Sequence, residues 1–417
     1  MSPGSRCFLV MLASLLSSTV GAQETEYELG GHLKGRLLGQ AFPDNSAFRQ
    51  VAGETAGDLE GNLRLNFSAG KGAWSFDAAY QAFAGYGDRI ADAGLLPVGA
   101  GLPDDDRRLF DLSKSIDDDG KFVALHRLDR LAVGYTSSTT VVRFGRQALS
   151  WGNGLIYSPM DLVNPFDPAA VDTEYKAGDD MLYAQFLRDN GDDLQFAYVL
   201  RRAVPSGDVE FDQSTVAIKY HGIAGSGEFD LLLASNYGDA TLAFGGNLGI
   251  GGAIWRGDIV YVDSDAGGRF QLVTSFSYSW VWGGKNVSGL VEFFFDEFGA
   301  DDDGYDTASL TQNQELLSRL VRGQSFTIGR QYVGAALTIE MNPLWLLTPT
   351  LFANTDDGST LIQLVSRNNL ADNMEFIGAL NVPIGPDGSE YGGIELAMSG
   401  VFLSTDASVF AQLAWYF

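Results

Sequence analysis

The chain ends in Ser408-Val-Phe-Ala-Gln-Leu-Ala-Trp-Tyr-Phe417. Val409, Ala411, Leu413, Trp415 and Phe417 fall on one face, and Phe410, Gln412, Ala414 and Tyr416 on the other. A period of two belongs to a strand, not a helix. One face is wholly apolar, and an unpaired strand of that kind would be an aggregation hazard in water. Facing lipid, with both edges paired, it is stable, and that condition is met by a closed barrel.

The other end of the chain agrees. Arg6 precedes the apolar run Phe8-Leu-Val-Met-Leu-Ala-Ser-Leu-Leu16, and Val20-Gly-Ala22 supplies small residues before Gln23. Residues 1–22 are therefore expected to be a secretory signal peptide, too short in its apolar run to span a membrane comfortably. Residues 23–417 are expected to form one domain. Cys7 is the only cysteine of the 417-residue sequence, so the mature chain has neither disulfides nor Cys-ligated metal or haem. The formal net charge is −26, which argues against nucleic-acid binding. No apolar run after residue 22 is long enough for a transmembrane helix, yet 45% of the residues are hydrophobic and 12% aromatic.

Alternation recurs along the chain. Leu59, Gly61, Leu63, Leu65 and Phe67 oppose Glu60, Asn62, Arg64, Asn66 and Ser68; Phe270, Leu272, Thr274, Phe276, Tyr278, Trp280 and Trp282 oppose Gln271, Val273 and a run of serines. Segments of about ten residues suit tilted membrane strands, and Tyr278, Trp280 and Trp282 suit an interfacial aromatic girdle. Long irregular stretches (41–58, 85–125, 149–179, 203–212, 298–323 and 383–406) sit mostly at every second connection. Nineteen segments can be counted. Both termini of such a barrel lie on the periplasmic side, so the number must be even. The Gly-rich segment 391–403 is the weakest and becomes part of the last outer loop. The expected fold is thus all-β: a transmembrane antiparallel up-and-down barrel of about 18 strands with long outer loops. Sixteen strands follow instead if Gly-rich 245–252 is not a turn. Residues 307–322 carry Leu310, Leu317, Leu320 and Val321 at helical spacing, predicting a short helix within loop 298–323.

The terminal strand resembles the C-terminal signature strand of Gram-negative outer-membrane proteins, which the barrel-assembly machinery reads; the resemblance makes Leu413, Trp415 and Phe417 an assembly signal. The block Arg143-Phe-Gly-Arg-Gln-Ala-Leu-Ser-Trp-Gly-Asn-Gly154, running into Asp161-Leu-Val-Asn-Pro-Phe-Asp-Pro168, is similar to a segment of several porin-like families, and Gly329-Arg-Gln331 repeats its tripeptide. The pattern as a whole resembles large porins and export channels, of which the alginate-export channel is an 18-stranded example. The resemblance implies a passive outer-membrane channel in contact with membrane lipid and lipopolysaccharide. It names no solute and no oligomeric state; a structural or partner-scaffolding barrel is the alternative.

Charges on strand faces should point away from lipid, since an Arg or Lys facing the midplane costs roughly 2–4 kcal/mol. Lys34, Arg36, Arg64, Asp77, Arg143, Arg201, Lys219, Asp230, Arg256, Asp258, Glu292, Arg330 and Glu340 are accordingly candidates to line a pore of mixed charge. Proline-rich 149–179 cannot continue a ladder. Trp151, Asn153, Tyr157, Asp161 and Asn164 are candidates for a constriction folded into the lumen, the alternative being a cap over the rim. The acidic runs 104–106, 117–120 and 301–304 lack EF-hand spacing and read as solvated loops, so no metal site and no cofactor is expected. His32, His126 and His221 are isolated, with no Gly-x-Ser-x-Gly or His-Glu-x-x-His motif, so no catalytic residue is assigned.

Overall fold

The computed structural model describes residues 25–91, 104–204, 206–301, 305–397 and 399–417. The expected signal peptide, Cys7 and most of the acidic run 301–304 lie outside these. The described chain is a closed antiparallel barrel of 18 strands. The wall opens with β1 (Glu26–Ala41), β2 (Thr55–Lys71) and β3 (Trp74–Gly87). A short β4 (Ser113–Asp119) lies beside the wall, which resumes with β5 (Phe122–Thr136), β6 (Thr140–Gln147), β7 (Asp179–Leu187), β8 (Asp193–Val199) and β9 (Thr215–Ala224). Hairpins continue through β10 (Gly227–Asn236), β11 (Asp239–Ile250), β12 (Ala253–Ser264), β13 (Gly267–Trp282) and β14 (Lys285–Asp296). They end with β15 (Gln331–Asn342), β16 (Trp345–Asn354), β17 (Thr360–Ala371) and β18 (Met374–Ile384). A two-stranded loop hairpin, β19 (Ile394–Glu395) and β20 (Phe402–Leu403), precedes β21 (Ser408–Tyr416).

Closure is made by β21, which pairs with β18 on one edge and β1 on the other. The Phe417 N–H donates to the Gly31 carbonyl at 3.0 Å, and the Gly31 N–H returns the bond at 2.9 Å. Val409, Leu413, Trp415 and Phe417 stand exposed on the lipid face. Trp74, Tyr135, Tyr278, Trp280 and Trp282 are exposed at the same short-turn end, where amphipathic rings suit the membrane interface.

The strand expectations need few corrections. Gly251 and Gly252 both have positive φ (56° and 93°) and turn the chain from β11 to β12; glycine adopts such angles without a Cβ penalty. That turn decides for 18 strands over 16. The loop expected over 298–323 extends to residue 330, and β15 begins only at Gln331. The single helix expected over 307–322 is two, α3 (Thr307–Gln312) and α4 (Gln314–Val321), because Asn313 (φ −87°, ψ 77°) breaks the run and accepts from the Leu316 N–H as the α4 cap. Two short helices, α1 (Ala47–Ala52) and α2 (Asp88–Ala91), and strand β4 were not expected.

Strand β4 solves a local problem. β6 pairs with β5 only along Leu131–Thr136 and then leaves the wall. Higher up, β4 takes the same edge of β5, from Phe122 to Arg127. The register puts Arg146 and Asp180 on the outward side of β6 and β7, where unpaired charges would be costly. Both are buried under segment 104–112. Arg146 donates to both oxygens of Asp105 at 2.9 Å, to both of Asp180 at 3.0 Å, and to the Phe110 carbonyl. The neighbouring bulge at Asp129, where Ala79 faces Arg130 and Tyr80 faces Leu128, places that carboxylate against Arg64 (2.6 Å), Arg130 (2.8 Å) and Arg127 (3.4 Å). A bulge re-aims a side chain in this way.

Deleting Phe417 removes both bonds to Gly31 and the last aromatic of the lipid face. The fraction of protein reaching the heat-modifiable folded form, read by gel mobility, is expected to fall several-fold.

Candidate functional site

The connection 148–178 between β6 and β7 runs inside the barrel. Its path can be followed by partners on inward-facing strand positions. The Trp151 indole N–H donates to Gln195 of β8 at 2.7 Å. Asn153 donates from its backbone N–H and its side-chain amide to Asp258 of β12, and from the amide to Asp230 of β10. The N–H groups of Leu155, Ile156 and Tyr157 all donate to Glu292 of β14, at 2.7, 2.9 and 2.7 Å. The Tyr157 ring stacks on Phe294 at 4.6 Å and 7°.

The loop then crosses. Gln363 of β17 donates to the Ala169 carbonyl at 2.8 Å. Asp172 accepts from Lys34 and Arg36 of β1, each at 2.7 Å. Glu174 meets Lys34 at 2.6 Å and accepts from the Tyr416 hydroxyl at 2.9 Å. Tyr175 lies under the Arg64 guanidinium, 4.2 Å away. Lys176 pairs with Asp161 within the loop, where burial pushes the Asp161 carboxyl up to about 6 against the pull of that lysine. Asn164, at φ 50°, donates to the Ala177 carbonyl at 3.4 Å.

Two glycines make room for this. A Cβ on Gly245 would collide with Asp258, and one on Gly334 with the Ile156 side chain. Backbone and carboxylate therefore approach as a larger residue would forbid.

A second contribution was missed by sequence reasoning. Trp151, Met160, Leu162 and Val163 of the loop pack on Met181, Val199, Leu232, Val260 and Val262, all buried inward-facing residues of β7 to β12. In the half of this sector away from the short turns, the wall is apolar on both faces. The signal was present in Leu231-Leu-Leu-Ala234 and Ile259-Val-Tyr-Val262, whose runs break the alternation; a strand buried on both faces reads as a continuous apolar run.

The remaining charged positions divide by height. Arg143, Arg256 and Glu340 are on strands near the short-turn end, with Arg256 on Ser277 and Glu340 on Asn286. Asp77 lies close to the same end, beside Arg64, Arg130 and Tyr175 around a cavity of ≈ 440 Å³. Lys219 is tied to Asp230 at 2.8 Å. Arg201 is buried at the opposite end against Asp179 and Thr215. Arg330 is not on a strand: it precedes β15 in the long-loop rim, bonded to the Gly299 carbonyl and Asp301. A larger cavity of ≈ 580 Å³ lies on the other side of the crossing loop, lined by Asp172, Glu174, Arg367, Asn369, Glu375 and Tyr416.

Of the histidines, His32 packs between Tyr175 and Tyr416, His126 stands beside Tyr80, and His221 contacts Asp230 at 3.0 Å. Among the described residues no hydroxyl is hydrogen-bonded to any of them, and no group of three His, Cys, Asp or Glu is placed to hold a metal ion.

No protein-family model and no curated protein sequence matches the chain. Solved structures do. OccAB4 of Acinetobacter baumannii aligns over 95% of this chain and 99% of its own, at TM-score 0.53 and 8% identity. A BenF-like porin from Pseudomonas fluorescens Pf-5 aligns over 94% and 98%, at TM-score 0.52 and 10% identity. The chain has the fold of the outer-membrane porins. The same fold likeness extends to Wzi of Escherichia coli, described as a carbohydrate-binding β-barrel involved in group 1 capsule assembly, over 92% of this chain and 83% of that one, at TM-score 0.50 and 11% identity.

The loop anchors give two expected outcomes. A hydrogen bond to a charged group contributes roughly 1.5–3 kcal/mol, and a neutral one about 1 kcal/mol. Glu292→Gln should therefore cut the hydrogen-exchange protection of the Leu155–Tyr157 amides about tenfold or more, at 1.4 kcal/mol per decade, while strand amides hold. The second concerns acid. Burial alone would raise the Asp172 carboxyl, but the hydrogen bond and charge of Lys34, then Arg36, hold it at about 2. A depressed carboxylate contributes stability above its ordinary value near 4 and loses it as pH falls through its folded value. Pepsin cleavage around residues 166–176 should rise as pH drops from about 4 to about 2, and Asp172→Asn should be cleaved readily at both.

Proposed function

We propose that this barrel is a passive outer-membrane channel for polar solutes, with loop 148–178 forming its narrowest section. The observation that carries the reading is the position of Asp172–Tyr175. This segment reaches the wall at Lys34, Arg36 and Arg64 with a charged cavity on either side of it. Eighteen strands leave an interior wide enough for water unless something fills it. Here the loop and the apolar wall of β7 to β12 fill one sector as a packed core. What is left to solutes runs along the charged sector of β1 to β5 and β16 to β21. Its lining carries both signs: Arg64, Arg130 and Arg367 against Asp77, Asp172, Glu174 and Glu375. The shared porin fold supports a channel and leaves the solute open.

A second reading has its own observation. The apolar cluster around Trp151 and Met160 makes the loop a solid part of the barrel, as a structural or partner-scaffolding barrel would require. Liposome swelling with a panel of small sugars, amino acids and organic acids separates the two. The channel reading expects swelling with small polar solutes and a several-fold rise in planar-bilayer conductance on deleting residues 151–168. A wild-type barrel that conducts no ions, beside a conducting deletion variant, would instead support the scaffolding role.

A further inference from the structure

Three arginine doublets far apart in sequence meet at the long-loop rim: Arg107-Arg108, Arg201-Arg202, and Arg319 with Arg322 at the end of α4. The Arg202 N–H donates to the Arg107 carbonyl, and Arg108 bridges to Arg201. Arg201 and Arg322 both lie over the Tyr237 ring, at 4.6 and 4.3 Å. Tyr237 forms the tight turn between β10 and β11 at φ 53°, an uncommon conformation for a residue with a side chain.

Most of these guanidiniums are accounted for. Arg108 is bonded to Asp105 and the Gly178 carbonyl, and Arg201 to Asp179 and Thr215. Arg202 donates to the Leu109 carbonyl, and Arg319 stacks on Phe298 at 3.6 Å. Arg107 and Arg322, like Arg319, have no hydrogen-bond or ion-pair partner among the described residues; Arg322 is held only by the Tyr237 ring, and both Arg107 and Arg322 are half-buried. Burial, together with the charges of Arg107 and Arg201, lowers the Arg322 pKa, against the opposing pull of Tyr237 and Asp239. In a chain of net charge −26, these are cations with unused donors.

We infer that Arg107 and Arg322, backed by Arg201, form a binding site for a phosphate group. Each guanidinium offers up to five N–H donors in a planar fork. A carboxylate would be satisfied by one such fork, whereas two unpaired forks arriving from separate loops suit a tetrahedral oxyanion with acceptors on several sides. The Tyr237 ring is already occupied by two cations and is not free to stack on a sugar. The phosphate could belong to lipopolysaccharide in the surrounding leaflet or to a soluble sugar phosphate at the channel mouth. The site is independent of whether the barrel conducts.

The test uses the full-length barrel. Calorimetric titration with inorganic phosphate and with glucose 1-phosphate is run beside binding to nanodiscs made with native or dephosphorylated lipopolysaccharide. The comparison protein is the double variant Arg107→Gln/Arg322→Gln, checked for heat-modifiable mobility. Phosphate protection of wild-type arginines from phenylglyoxal, mapped to Arg107 and Arg322 by mass, gives a readout that needs no variant. Expected is at least a tenfold weaker affinity in the double variant and protection of both arginines. Binding of the soluble phosphates assigns the site to a solute; binding confined to native lipopolysaccharide assigns it to the lipid. Equal affinity of wild type and variant for every probe, or no protection of either arginine, overturns the proposal.

Discussion

Hydrocarbon offers no partner to a backbone N–H or C=O, and this constraint governs the molecule. A sheet can lie in lipid only if it has no edge. Closure is therefore made by backbone pairing, with β21 joined to β18 and β1 along most of its length. The rest accommodates that requirement. Outward positions can be apolar because the ladder asks nothing of side chains, and inward positions are free to carry charge. Where β6 leaves the ring early, another strand takes over the edge of β5, and the exposed ends of β6 and β7 are sealed by Arg146 with Asp105 and Asp180.

The interior obeys the opposite economy. An internal loop has backbone groups of its own to satisfy, and five consecutive N–H groups, from Asn153 to Tyr157, find Asp258 and Glu292. Buried carboxyls without a cationic neighbour are costly unless donors surround them, and loop and wall meet each other's need. Apolar residues near Trp151 and Met160 bury the remaining surface against a sector of wall that is itself apolar.

Strands and turns were legible in the sequence because a period of two with one lipid face is a local property. Parity of the strand number then corrected a local reading, reducing 391–403 to the short β19–β20 hairpin. Loop 148–178 was visible as a break in the ladder through its prolines. Its route was not, since Leu155 meets Glu292 and Asp172 meets Lys34 across more than a hundred residues. The apolar inner wall was hidden for a similar reason: an alternation template assumes that the inner face is wet. β4 escaped notice because Ser113–Asp119 is acidic and exposed, and it is a strand only by virtue of the edge that β6 vacates.

One loop holds β1 through Asp172 and β12 through Asn153. Around the ring those strands stand ten steps apart in one direction and eight in the other, nearly a diameter. A hollow hoop of hydrogen-bonded strands flexes most easily by ovalising under lateral pressure, and a chord between opposite points resists that mode. The loop inside the barrel is thus also a cross-brace, so that the cross-section and the spacing of loop and wall beside Tyr175 are set by the same few contacts.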